Sequence, residues 1–79
     1  MWVSPDEHKI VGGVLMAVRK REGVSQDELA LRLKKPQSFV SSFENGQRRV
    51  DLLEFLRICA AIGVEPSGVF KQIVDAARG

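Results

Sequence analysis

The sequence predicts an all-α fold, a compact bundle of five short helices, and three observations support this. Apolar residues recur at intervals of three and four in five consecutive segments. Each segment is bounded by residues that start or stop helices, and the connections between segments are short. No segment alternates apolar and polar residues as a half-buried strand would. With 79 residues, the chain is expected to form a single domain over residues 1–79.

The first helix is predicted to begin near Ser4, which can cap it, with Pro5 at the first helical position and Glu7 three residues after the cap. Its apolar residues follow with a helical period: Ile10, Val11, Val14, Leu15 and Val18. The pair Gly12-Gly13 interrupts this pattern and weakens the helix by about 1 kcal/mol per glycine relative to alanine. Gly23 is expected to end the helix.

The second and third helices are predicted within residues 25–45 and are joined by a tight turn. Ser25 and Glu28 have the spacing of a capping box, which marks the start of the second helix. Pro36 restarts the chain, and Asn45-Gly46 stops the third helix. The apolar residues expected on the inner faces are Leu29, Ala30, Leu33, Val40 and Phe43.

The last two helices follow the same rules. Asp51 and Glu54 resemble a further capping box, and Gly63 ends the helix that they begin. Its inward positions are Phe55, Ile58, Cys59 and Ile62. Pro66 opens the last helix, at about residues 66–78. Its stripe of Val69, Phe70, Ile73 and Val74 is more apolar than one small core needs, so we expect a homodimer that uses this stripe as its interface.

Basic residues are concentrated in the middle of the chain. Residues 19–49 contain eight Lys or Arg against four Asp or Glu, whereas the remaining residues contain four against six. A basic middle between acidic ends favours a surface that faces DNA, although an ordinary solvated surface is the alternative.

Composition excludes several other classes of protein. No apolar run approaches the roughly 20 residues of a membrane helix, and the N-terminus lacks a signal-peptide pattern, so we expect a cytoplasmic protein with no membrane partner. The single Cys59 cannot form an internal disulfide, and one cysteine with His8 cannot assemble a structural zinc site. We therefore expect no catalytic residues, no metal, no cofactor, no small-molecule ligand and no attached sensor domain.

Two spaced patterns connect the second and third helices to a known family. They are Arg19-x-x-x-Gly23-x-Ser25-Gln26-x-x-Leu29-Ala30-x-x-Leu33 and Gln37-Ser38-x-Val40-Ser41-x-x-Glu44-x-Gly46-x-Arg48. Residues 12–66, about 55 of the 79, resemble the Cro/phage-repressor class of helix-turn-helix domains, also called the XRE class. The resemblance implies a lambda-repressor-like five-helix fold, a homodimer and a palindromic operator in double-stranded DNA. Ala30 is small where two helices of the motif would cross closely.

The exposed part of the third helix is predicted to contact DNA bases through Gln37, Ser38, Ser41 and Ser42. Glutamine can bond to adenine through two hydrogen bonds and serine serves several bases, and a solvated surface is the alternative for each residue. Phe39 has two possible roles, because its ring could contact a thymine methyl group or fold back onto the domain.

Phosphate contacts are predicted from residues on either side of the third helix. The resemblance places Gln26 against the DNA backbone, where the start of the second helix is also positive. Arg48 and Arg49 match phosphate geometry, and residues 45–50 contain no acid that would neutralise them. The resemblance also pairs Arg19 with Glu44 in a positional salt bridge, which as an exposed pair would contribute about 0–1 kcal/mol.

Two residues depart from the family pattern. Lys34 stands where the turn usually has glycine, and a left-handed backbone there would cost a lysine about 1 kcal/mol. Pro36 stands where a capping serine or threonine is common, which removes a hydroxyl and an amide from the start of the third helix.

These features predict a sequence-specific, homodimeric DNA-binding regulator of transcription. DNA-binding antitoxins and restriction–modification controller proteins have the same minimal format and are the first alternatives. A protein-interaction module that kept the fold without DNA binding is the alternative from another class.

Overall fold

The computed structural model describes residues 7–79, and across these residues the chain forms five α-helices. They are α1 (His8–Arg21), α2 (Gln26–Leu33), α3 (Gln37–Glu44), α4 (Leu52–Ile62) and α5 (Pro66–Arg78). The predicted all-α, five-helix fold is confirmed, whereas the predicted cap at Ser4 and Pro5 lies outside the described residues. Within the described part of the chain, no helix is long and apolar enough to cross a membrane.

All five helices contribute to one core. Helix α1 packs against α3 and α5, α2 packs against α3 and α4, and α4 packs against α5. The largest fully buried side chains are those of Leu15, Val18, Leu29, Val40, Phe43, Ile58, Cys59 and Val69. This shared core fixes the inner faces of α2 and α3 and leaves their outer faces in solvent.

Side-chain caps define where two helices begin. Ser25 Oγ accepts a hydrogen bond from the backbone nitrogen of Glu28 (3.0 Å), while the carboxylate of Glu28 accepts from Arg32 Nε (3.0 Å). Asp51 and Glu54 form a complete capping box, in which each side chain accepts a hydrogen bond from the backbone nitrogen of the other. Both helices therefore begin where the sequence placed them, but the capping box predicted at Ser25 is only half formed, because the Glu28 carboxylate bonds to Arg32.

The turn between α2 and α3 has a left-handed residue. Lys34 has φ 57° and ψ 43°, and it is the one non-glycine residue with positive φ in residues 7–79. Its backbone nitrogen donates to the carbonyl of Leu31 (3.1 Å), and that of Lys35 donates to Ala30 (3.0 Å). These two bonds form a Schellman motif, which ends α2 and redirects the chain into α3.

Candidate nucleic-acid interface

One face of α3 is polar and accessible to solvent. Because a helix repeats every 3.6 residues, this face carries Gln37, Ser38, Ser41, Ser42 and Asn45. The first two are exposed, the next two are half-buried and Asn45 is exposed. On the opposite face, Val40 and Phe43 have no exposed surface. The predicted base-contacting residues therefore share one face of a helix that the core holds from behind.

Asn45 belongs to this polar face, and the sequence argument assigned it only to the end of the helix. It lies four residues after Ser41, and its Nδ2 donates to Ser41 Oγ (3.4 Å). The spacing of four from a predicted base-contacting residue was the signal that could have identified it.

A chain of hydrogen bonds joins the first residues of α2 and α3. Gln37 Nε2 donates to Gln26 Oε1 (2.7 Å), and Gln26 Nε2 donates to Glu44 Oε1 (2.9 Å). The Gln37 carboxamide is thereby oriented and keeps its oxygen and its second N–H, the acceptor and donor that an adenine edge requires. Gln26 retains one N–H, which suffices for one phosphate oxygen.

The chain of hydrogen bonds ends in a buried ion pair. Arg19 Nε and Nη2 donate to the two carboxylate oxygens of Glu44 (2.7 and 2.9 Å), and Arg19 Nη1 donates to the carbonyl of Val24 (2.8 Å). The hydrogen bond to Glu44 raises the pKa of Arg19 above its already high ordinary value, so the guanidinium stays charged.

The prediction that this pair is exposed is wrong. Arg19 is 6% exposed and Glu44 is 4% exposed, because α1 and α3 pack against each other around them. Removing one partner of a buried pair leaves an uncompensated charge, so the pair fixes how α3 sits on α1 much more firmly than a surface bridge would.

Phe39 folds back onto the domain. It is half-buried, and its ring meets that of Phe43 edge-on, with centroids 5.7 Å apart and planes at 73°. Two cations approach the same ring, since Lys35 Nζ lies 5.5 Å and Arg48 Cζ lies 4.7 Å from its centroid. Of the two roles left open by the sequence, the structure favours packing within the protein.

The two arginines after α3 differ in their surroundings. Arg48 Nη2 forms an ion pair with Glu54 Oε2, whereas Arg49 is exposed and forms no ion pair within residues 7–79. The prediction that these arginines have no neutralising acid is therefore wrong for Arg48. The acid comes from the start of α4, outside residues 45–50.

The predicted interface stripe on α5 divides between core and surface. Val69 is 1% exposed and belongs to the core, so it is not available to a second chain. Ile73 and Val74 are half-buried, and Phe70 is 55% exposed. Further exposed apolar side chains lie on α4, and Leu52 (69% exposed) lines the same groove as Phe70 and Ile73.

The arrangement of α2, the turn and α3 is shared with a known family. A family model described as Helix-turn-helix matches residues 15–69. This chain belongs to the helix-turn-helix family. Its relatives are of the XRE type, in agreement with the resemblance drawn from the sequence.

Several relatives of this helix-turn-helix protein cover most of its length. A solved structure described as an XRE-family like protein from Pseudomonas syringae pv. tomato str. DC3000 is 37% identical, with a TM-score of 0.78 over 89% of this chain and 85% of that chain. The restriction-modification controller protein C.AhdI from Aeromonas hydrophila is 32% identical, with a TM-score of 0.76 over 84% and 96%. Control protein C.MunI from Mycoplasma sp is 33% identical over 63 residues, which are 78% of this chain and 85% of that protein.

Proposed function

We propose that this chain is a sequence-specific regulator of transcription that binds a palindromic operator in double-stranded DNA as a homodimer. The observation that carries the proposal is the polar face of α3, on which Gln37 is exposed and held in place by Gln26. An oriented carboxamide at the start of a helix that fits the major groove can discriminate between bases.

The remaining contacts divide by chemistry. Ser38, Ser41 and Ser42 supply further base contacts from the same face, and Asn45 extends that face by one turn. Gln26 and Arg49 are the phosphate ligands, because each has unsatisfied donors at the edge of the helix-turn-helix. Phosphate contacts fix the register of the protein on the duplex, and contacts to base edges select the sequence.

The test begins with selection of a preferred site from a random DNA pool, followed by affinity measurements on that site and on random DNA. Gln37→Ala should weaken binding to the preferred site by about 1–3 kcal/mol and relax the preference at one position of each half-site. Gln72→Ala is the matched control, since Gln72 is an exposed glutamine on α5. Equal losses on both DNAs would show that Gln37 contacts only the backbone.

The homodimer is supported by exposed apolar surface. A chain of this size buries only about 60% of its unfolded surface, and Leu52, Leu56 and Phe70 are each 42–69% exposed. A patch of this kind on a small domain is typical of an interface. A two-fold dimer would present two α3 helices to half-sites about one helical turn of DNA apart, which is why a palindrome is expected.

A restriction–modification controller is the second candidate function, because two relatives above 30% identity are named as controller or control proteins. A controller should bind DNA beside the genes of a restriction–modification system and change their expression. If the protein binds the selected site but does not change the expression of such genes, the controller function is excluded and the general regulator of transcription is favoured. Sedimentation with and without DNA tests the interaction-module alternative, which requires no DNA binding.

A further inference from the structure

Glu54 makes contacts in two directions. Its Oε1 accepts a hydrogen bond from the backbone nitrogen of Asp51 (3.1 Å), and its own backbone nitrogen donates to Asp51 Oδ1 (2.7 Å). Its other oxygen, Oε2, pairs with Arg48. The capping box thus fixes the carboxylate at the start of α4, and the fixed carboxylate points at the loop that follows α3.

A second group, the ring of Phe39, also contacts Arg48. Arg48 Cζ lies 4.7 Å from the ring centroid of Phe39, and the ring of Phe39 is itself packed against Phe43. The guanidinium is therefore held by a carboxylate and an aromatic ring beside α3. The Arg48 side chain is 40% exposed, and that of Glu54 is 24% exposed. An external anion could reach Arg48, but it would have to compete with Glu54.

This competition sets what Arg48 can contribute to DNA binding. A cation that neutralises a phosphate releases condensed counterion and adds about 0.9 to the magnitude of the salt slope. Arg48 is already neutralised by a fixed carboxylate, and that carboxylate also repels a nearby phosphate. Arg49, the adjacent residue, has no ion-pair partner within residues 7–79 and carries no such restriction.

We propose that Glu54 is an affinity-setting residue, whose carboxylate occupies Arg48 and withholds it from DNA phosphate. The inference rests on the DNA-binding function proposed above. In this proposal, Arg49 supplies most of the phosphate contact from this loop, and Glu54 keeps the sequence-independent affinity for DNA low. Because phosphate contacts strengthen binding to every sequence alike, withholding one lowers the affinity for preferred and random DNA by the same factor and leaves the choice between them to the α3 face.

Glu54→Gln separates this role from capping. The glutamine oxygen can still accept the hydrogen bond from Asp51, while the negative charge beside Arg48 is lost. We expect tighter binding to both preferred and random DNA, and a salt slope steeper by about 0.9 per protomer. The affinity of Glu54→Gln for DNA relative to that of the wild type should then fall by about 3.5-fold per protomer as salt rises from about 50 to 200 mM.

Glu28→Gln is the matched control. Glu28 also pairs with an arginine at the surface, but Arg32 reaches the carbonyl of Ala61 near the end of α4, away from the Arg48 loop. The two substitutions change net charge equally and differ in the arginine that each frees from its carboxylate: Arg48 beside α3, or Arg32, which keeps its hydrogen bond to Ala61. Glu28→Gln should keep the salt slope of the wild type. Adding Arg48→Gln to Glu54→Gln should remove the increase in DNA affinity that Glu54→Gln produces.

The outcomes separate this inference from the function on which it rests. A wild type with no salt-dependent DNA binding would overturn the proposed function and this inference with it. A wild type that binds, with Glu54→Gln showing an unchanged slope or weaker binding, overturns this inference alone. Thermal unfolding checks that Glu54→Gln is folded. If Glu54→Gln is not folded, Arg48→Ala and Arg49→Ala test the inference in its place. Arg48→Ala should flatten the slope of log affinity against log salt less than Arg49→Ala does.

Discussion

At the scale of single residues, Lys34 is the clearest point of backbone strain. It adopts a left-handed conformation that glycine accepts freely, and the Schellman hydrogen bonds of the turn hold it there. We expect Lys34→Gly to raise the free energy of unfolding by up to about 1 kcal/mol, less the entropy that glycine adds to the unfolded chain.

The denaturant midpoint measures this effect, and the neighbouring residue supplies the control. Lys35 does not have positive φ, so Lys35→Gly gains no relief and should lower the midpoint. A midpoint that falls in Lys34→Gly as well would mean that the turn is not strained in solution.

Cys59 shows how burial decides chemistry at the same scale. The thiol has no exposed surface, and burial raises its pKa above the ordinary value. The raised pKa disfavours the reactive thiolate, and burial keeps external reagents away from the sulfur. Cys59 thus lies in the core, at one of the inward positions that the helical pattern predicted.

At the scale of elements, the contact between α1 and α3 depends on one glycine of a pair. A Cβ at Gly12 would overlap the carbonyl oxygen of Phe43 and lie 2.8 Å from that of Glu44, whereas one at Gly13 would meet nothing within 4 Å. Gly12 therefore permits the close approach of α1 to the end of α3, on which the buried Arg19–Glu44 pair also depends.

The two glycines should respond to alanine with opposite signs. Gly12→Ala is expected to lower the free energy of unfolding by about 1–3 kcal/mol, since backbone must move to admit the methyl group. Gly13→Ala should raise it by about 0.5–1 kcal/mol through better helix propensity. Urea denaturation of both variants checks this, and a shift of the same sign in both would contradict the close packing at Gly12.

Most of the fold could be predicted from local sequence signals, and the features that were missed depend on contacts between helices distant in sequence. Helix starts at Ser25 and Asp51 follow from capping patterns a few residues long, so the sequence was sufficient for them. The burial of Arg19, the partner of Arg48 and the role of Gly12 depend on how helices meet. Periodicity assigns a residue to a face, but it does not say which backbone or side chain comes to lie against it.

The candidate site divides in the same way. Its polar face could be predicted, because Gln37 and Ser38 lie at the start of a helix whose inner positions are apolar. The hydrogen bonds from Gln37 through Gln26 to Glu44 could not, because they join residues 11 and 18 positions apart. The assignment of these residues to DNA bases stays a prediction.

At the scale of the whole molecule, dimerisation should depend on Phe70. Ile73 belongs to the same predicted stripe, but it packs against the core, so replacing it would also destabilise the monomer. We expect a wild-type dimer at micromolar concentration and a monomer for Phe70→Asp, since a charge would be buried in an apolar interface.

Light scattering gives the mass directly, and Leu31→Asp is the control. Leu31 is 73% exposed on α2, so its replacement should leave the dimer intact. A dimer that persists in Phe70→Asp, or a wild type that is monomeric at high micromolar concentration, would exclude this surface as the interface.

The hydrogen bonds that tie Gln37 to the core also bear on how such a regulator diverges after gene duplication. Two copies in one cell interfere until they prefer different operators. Ser38 and Ser42 can mutate without disturbing the Arg19–Glu44–Gln26 network, whereas replacing Gln37 removes one of its hydrogen bonds. Under the proposed function, new operator preferences should therefore arise first at the base pairs facing Ser38 and Ser42, while the base assigned to Gln37 should stay common to both operators.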